Sequence, residues 1–142
     1  MSCCPWAREG EAVDFVTPTL GRADVHPQLH ACFDSQTIKQ KRLFVLDESP
    51  QPSRFFGRLR DTRVTYVHAP NKKITGAGQG GIARARNRLM RMTSAPITAH
   101  MDDDDHYAPE YAETMLGRLR GYDVAKLVKW HMLHEHDPVY IR

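Results

Sequence analysis

Long apolar runs are missing from this 142-residue chain: no segment approaches the roughly 18 consecutive apolar residues that a membrane-spanning helix needs. The start, Met1-Ser-Cys-Cys-Pro-Trp-Ala-Arg8, lacks the basic-then-apolar order of a signal peptide, so a cytoplasmic location is the expectation. Cysteine is scarce. Of three residues, Cys3 and Cys4 are adjacent and Cys32 lies alone in a helical pattern, which excludes a disulfide framework and a paired C-x-x-C metal site. There is no large excess of one charge: 20 Lys and Arg against 17 Asp and Glu leave a net charge of +3. The basic residues are spread along the chain, and no concentrated basic arm points to nucleic acid.

An apolar content of 41% with 26% charged residues suits one globular core. Residues 1–11 read as a disordered or loosely held N-terminal segment and residues 12–142 as one α/β domain. Ala12 to Thr17 reads as a strand that breaks at Pro18, because proline has no N–H for a ladder. Asp24 to Gln36 follows as a helix, with Asp24 as its cap, Pro27 in the first turn and Leu29, Cys32, Phe33 and Gln36 on one face. Leu43 to Leu46 is a short apolar run of the kind expected of a strand buried on both faces. It ends in Asp47-Glu-Ser-Pro-Gln-Pro-Ser53. Arg63 to Val67 is a third strand, and helical spacing returns from Ile82 to Met92. Ile97, Ala99 and Met101 alternate with Thr98 and His100 as a fourth strand. Tyr111 to Leu119 is a further helix, and Asp123 to Lys129 begins a fifth strand.

Strands alternating with helices imply a mostly parallel sheet covered by helices on both faces, and such sheets bind ligands at the C-terminal ends of their strands. Three polar clusters, Thr17-Pro-Thr19, Asp47-Glu48 and Asp102 to Asp105, all fall on that edge. Four adjacent carboxylates repel one another and call for a cation or for protonation of some members. In extended backbone, Asp102 and Asp104 share one side while Asp103 and Asp105 share the other. Two carboxylates on one side suit a hard divalent ion such as Mg²⁺ or Mn²⁺, whose other positions go to water and phosphate oxygens. A solvated acidic loop is the plainer reading of such a run.

The ordered set of motifs resembles the family-2 glycosyltransferases. Its pieces here are Val16-Thr-Pro-Thr19 with Arg22, Ser35-Gln-Thr37 leading to Val45-Leu-Asp-Glu-Ser49, Gly80-Gly-Ile-Ala-Arg-Ala-Arg-Asn87, and Met101-Asp-Asp-Asp-Asp105 with Pro109. The resemblance covers about residues 12 to 130. It implies a Rossmann-like GT-A fold and transfer of a sugar from a nucleoside-diphosphate donor, commonly a uridine one, to an acceptor hydroxyl with inversion. It also implies that Thr17, Pro18, Thr19, Arg22, Asp47, Glu48, Arg86, Asn87, Asp102 and Asp103 bind the nucleotide sugar. In that scheme Thr19 lines the nucleoside pocket, Asp47 meets the base and Arg86 lies near the base and diphosphate. Asp102 and Asp104 hold the Mn²⁺ or Mg²⁺; the run itself also permits the register Asp103 with Asp105.

Two departures stand out. Asp47-Glu48 replaces the two aspartates common in the family. The family domain also continues into an acceptor-binding half carrying a carboxylate base, and Glu135 and Asp137 come too early to supply it. The expectation is therefore a domain truncated before that half, with an unknown acceptor and with a missing segment or partner to complete it. The rival readings are a catalytically incomplete nucleotide-sugar-binding module and a metal-dependent phosphotransferase. Gly76, Gly78 and Gly81 match G-x-G-x-x-G, but Pro70-Asn-Lys-Lys73 separates them from their strand, against the dinucleotide fingerprint. His131, His134 and His136 lack H-E-x-x-H spacing. Arg84, Arg86, Arg88 and Arg91 read as a partly solvated helix face.

Overall fold

The computed structural model describes residues 11–70, 81–133 and 138–141. Four parallel strands form the main sheet: β1 (Val13–Thr19), β2 (Lys41–Asp47), β3 (Val64–His68) and β4 (Ile97–His100), in the order β3-β2-β1-β4. The helices are α1 (His26–Asp34), α2 (Arg54–Arg58), α3 (Gly81–Met90) and α4 (Tyr111–Arg118). A separate antiparallel pair, β5 (Trp130–Leu133) and β6 (Pro138–Ile141), follows. The α/β class expected from the alternating pattern is the one observed.

Side chains alternate across a strand, so each central strand feeds two cores. Val13 and Phe15 of β1 and Leu43 and Val45 of β2 meet Leu29, Cys32 and Phe33 of α1, Phe56 of α2 and Ala112 of α4. Val16, Phe44 and Leu46 point the other way, onto Ala85 and Leu89 of α3. Helices therefore cover both faces, as a parallel sheet requires.

Pro18 corrects one expectation, for it lies inside β1, opposite Leu46 of β2. The register explains why it is tolerated. Val13 N–H donates to Gln40 and the Thr19 carbonyl accepts from Glu48, so odd positions of β1 bond towards β2. Even positions face β4, where the Val16 carbonyl accepts from Met101 N–H. An N–H at position 18 would serve the Met101 carbonyl. That oxygen instead accepts from Thr17 Oγ1 at 2.6 Å, so the ladder loses nothing to the proline.

Three further differences have local causes. Asp24 does not cap α1, whose N-cap is Val25 without a side-chain bond. α2 was not evident from the pattern; Ser53 caps it, accepting from Phe56 N–H at 3.2 Å. No strand forms over residues 123–129. Val124 and Val128 there are 78% and 70% exposed, and apolar residues make a strand only where a neighbouring strand offers its ladder. The next strand begins at Trp130 and pairs outside the main sheet. Gly76 and Gly78, the side chain of His131, and His134, Glu135, His136 and Asp137 lie outside the described residues.

The connection after β4 is tied down by the residues that follow α1. Gln36 Nε2 donates to the carbonyls of Cys32 and Ala108, and its Oε1 accepts from Ala112 N–H. Thr37 N–H donates to the Pro109 carbonyl at 2.9 Å. These bonds fix the α4 end of the acidic loop that follows β4.

Candidate functional site

In the order β3-β2-β1-β4 the chain changes direction of travel at β1, and the crevice beyond the C-terminal ends of β1 and β4 is where open parallel sheets bind ligands. Thr19 ends β1 there, and Asp103 follows β4. Thr19 Oγ1 donates to Asp103 Oδ2 at 2.5 Å, joining the two sides of the crevice.

Behind this bond runs a buried chain of polar groups. Thr19 Oγ1 lies 3.1 Å from His26 Nε2, and His26 Nδ1 lies 2.8 Å from Ser53 Oγ. Ser53 Oγ already accepts from Phe56 N–H, so its own hydrogen is free for Nδ1. His26 Nε2 then carries the proton and donates to Thr19, which donates on to Asp103; the tautomer follows from this sequence of donors. Burial holds the His26 imidazole below its ordinary pKa, as a neutral ring in this position requires. Asp103 is thus an inward carboxylate whose orientation is set from the N-cap of α2.

The rest of the acidic run departs from strand geometry. The backbone turns at Asp103 and Asp104, so these residues do not alternate as they would in extended chain. Arg22 Nη1 reaches both, donating to Asp103 Oδ1 at 3.2 Å and to Asp104 Oδ2. Asp102 Oδ1 accepts from Arg86 Nη2 at 2.8 Å, and Asp102 N–H donates to Tyr107 Oη at 2.8 Å. Asp102 and Asp104 keep 39% and 50% of their side chains exposed, against 5% for Asp103. The Asp105 carboxyl titrates above the usual range, through burial first and then the charges of its aspartate neighbours. Arg86 Nε is buried without a hydrogen-bond partner among the described residues.

At the next strand, Asp47 is 1% exposed and both its oxygens are occupied. Oδ1 accepts from Ser49 N–H at 2.9 Å and Oδ2 from Tyr66 Oη at 2.6 Å. Burial pushes this carboxyl up, and the bonds from Ser49 and Tyr66 outweigh it and hold the pKa below the usual value. Burial and the Asp47 bond together push Tyr66 up to about 12. Glu48 points elsewhere and pairs with Arg84 Nη2 at 2.9 Å. Gly21, at φ +69°, turns the chain after β1 and directs its N–H to Ser49 Oγ at 2.8 Å.

The structure therefore gathers Thr19, Arg22, Arg86, Asp102, Asp103 and Asp104 around one crevice, with Asp47 and Glu48 alongside. Thr17 is turned inward to the Met101 carbonyl, Pro18 is half-buried in β1, and Asn87 is exposed on α3. His26, Ser53, Tyr66 and Tyr107 were missed in the sequence. A lone histidine, serine or tyrosine carries no periodic signal, and each gains its role through a residue distant along the chain.

No protein-family model and no curated protein sequence matches the chain. Solved structures do match it. A mannosyltransferase from Pyrobaculum calidifontis, PcManGT, solved in complex with GDP-Man and Mn²⁺, aligns over 76% of this chain with a TM-score of 0.61 and 19% identity. The chain has a GT-A-like fold. TarS from S. aureus aligns over the same share with a TM-score of 0.59 and 14% identity, and a TarS structure in complex with UDP-GlcNAc with 0.58 and 13%. The chain spans 32%, 19% and 31% of the lengths of these three structures. Among the described residues no helix of the GT-A-like unit is long and apolar enough to cross a membrane.

Proposed function

We propose that this chain forms the donor-binding part of a glycosyltransferase, which moves a sugar from a nucleoside-diphosphate donor to an acceptor hydroxyl with inversion at the anomeric carbon. The observation that carries the proposal is the convergence of Thr19, Arg22, Arg86 and Asp102 to Asp104 on the switch-point crevice of a GT-A-like fold. Structures of that fold hold GDP-Man with Mn²⁺ and UDP-GlcNAc.

Carboxylate oxygens are the donors that a hard divalent ion takes. Asp102 and Asp104 present half-open carboxylates, and the described residues hold no group of three or more His, Cys, Asp or Glu set to enclose an ion. Mg²⁺ and Mn²⁺ suit such a pair of carboxylates, with phosphate oxygens completing the shell. In this reading Asp102 and Asp104 hold the ion, and Asp103 keeps the loop in place through Thr19. When bound, the ion neutralises charge on the departing diphosphate. Arg22 and Arg86 add two cations beside the same oxygens. No base and no acceptor pocket is assigned to this chain; in the proposal they come from a further segment or a partner.

Calorimetric titration of the chain with GDP and with UDP, each with and without Mn²⁺, tests the proposal. Binding of either nucleotide that tightens with Mn²⁺ is the expected result. Silence from both under both conditions would leave a GT-A-like fold without a donor site.

A further inference from the structure

The geometry points to Arg22 as a built-in competitor of the divalent ion, a side chain that gives up Asp104 when a diphosphate enters; the inference rests on the nucleotide-sugar reading above. One nitrogen of this residue, Nη1, donates to both Asp103 and Asp104. Arg22 is the one partner of the Asp104 carboxylate among the described residues. A carboxylate offers a guanidinium and a Mg²⁺ or Mn²⁺ ion the same lone pairs. Side chain and ion therefore contend for one group.

The attachment is of a kind that comes undone. Half of each side chain is exposed, 51% for Arg22 and 50% for Asp104, and exposed ion pairs hold weakly. Nε and Nη2 of Arg22 make no hydrogen bond among the described residues, so the two-pronged contact that strengthens Arg–carboxylate pairs is not used. The backbone, by contrast, is held on both sides. Gly21 N–H donates to Ser49 Oγ at 2.8 Å, and the Arg22 carbonyl accepts from Val25 N–H at 3.2 Å. Arg22 can leave Asp104 by turning its side chain alone, while Asp103 keeps its bond to Thr19. A diphosphate supplies what an ion alone does not, namely acceptor oxygens for the guanidinium. Nucleotide thus draws Arg22 off Asp104 and frees that carboxylate for the ion. The two ligands favour each other through one side chain, and such coupling is reciprocal.

The test is Arg22→Gln in the full chain, with Mn²⁺ and nucleotide binding measured separately. Mn²⁺ binding without nucleotide is followed by the electron-spin resonance of the free ion, and GDP and UDP binding without metal by calorimetry. Mn²⁺ should bind Arg22→Gln about three- to fivefold more tightly than the unaltered chain, the range that loss of an exposed ion pair allows. The nucleotide that the unaltered chain binds should bind the same variant more weakly. A purely structural Arg22 would not give these opposite changes, because a displaced loop weakens both ligands. Arg22→Met, also neutral, should repeat the pair of changes, and melting curves show whether each variant is folded. Lys39→Gln removes the same charge at an exposed position just before β2, at the opposite end of the sheet. It should leave Mn²⁺ binding as it was, which separates pairing at Asp104 from net charge. Equal or weaker Mn²⁺ binding in both neutral variants, or nucleotide binding that does not weaken, would overturn the inference while leaving the donor site intact. Failure of both nucleotides to bind the unaltered chain, with or without Mn²⁺, would overturn the donor-site proposal and this inference with it.

Discussion

Thr19 connects two halves of the crevice through a single hydroxyl, accepting from His26 and donating to Asp103. Thr19→Val keeps the shape and removes both bonds, leaving a buried imidazole N–H and a buried carboxylate short of partners. A loss of about 1–3 kcal/mol in urea unfolding is the expected outcome, with weaker nucleotide binding because Asp103 is no longer oriented. Thr19→Ser should restore both. The pH dependence has a defined sign. The unfolded chain protonates His26 near 6.5, whereas burial keeps the folded ring neutral to lower pH. The unfolded state therefore takes up a proton first, and stability falls as pH drops below about 6.5. His100, its pKa also lowered by burial, adds to the same slope. At the alkaline end, Tyr66 favours the fold below pH 10 and gives up that contribution as pH rises from 10 towards about 12. Urea midpoints from pH 7.5 to 5 should show the acid slope, and His26→Gln should flatten it in part. Thr19, Asp47 and the aspartate run were legible in the sequence because each stands at the end of an apolar strand. Their partners were not, since 84 positions separate Thr19 from Asp103 and no local pattern spans that distance.

Among the elements, the strands of the main sheet were readable from short apolar runs, which buried strands need on both faces. Expectation failed where pairing rather than composition decides. Pro18 stays in β1 because Thr17 serves the Met101 carbonyl, and residues 123–129 remain outside the sheets despite their valines. α2 escaped notice because five residues are too few for a helical period. Asp14 shows how one side chain can hold elements together. It is fully buried in β1 and accepts from Arg42 of β2 and from the N–H groups of Ser94 and Ala95, just before β4. Burial pushes its pKa up, yet Arg42 and the two N–H groups more than compensate and hold it below the usual value. Asp14→Ala should cost about 1–3 kcal/mol in thermal or urea unfolding by orphaning those donors. The crevice lies at the far end of β1, so nucleotide affinity measured on the folded variant should change little.

For the molecule as a whole, ligand binding and stability are one equilibrium, and this gives the metal assignment a test that needs no turnover. A ligand that binds only the folded chain stabilises it by about 2.7 kcal/mol at a hundred times its Kd. Nucleotide with Mn²⁺ should therefore raise the melting temperature of the unaltered chain well beyond either alone. Asp104 is half exposed, and its one partner among the described residues is Arg22, so Asp104→Ala should leave the ligand-free melting temperature close to unchanged. The same variant should lose the additional rise that Mn²⁺ gives to the nucleotide. Asp103→Ala should behave differently, lowering the ligand-free melting temperature because its buried bond to Thr19 is structural. If Asp104→Ala keeps the full Mn²⁺ response, the ion is not held at Asp104. If Asp103→Ala is the variant that loses the response without losing stability, the ligand is the inward carboxylate, and Thr19 and Arg22 must give it up when the ion enters.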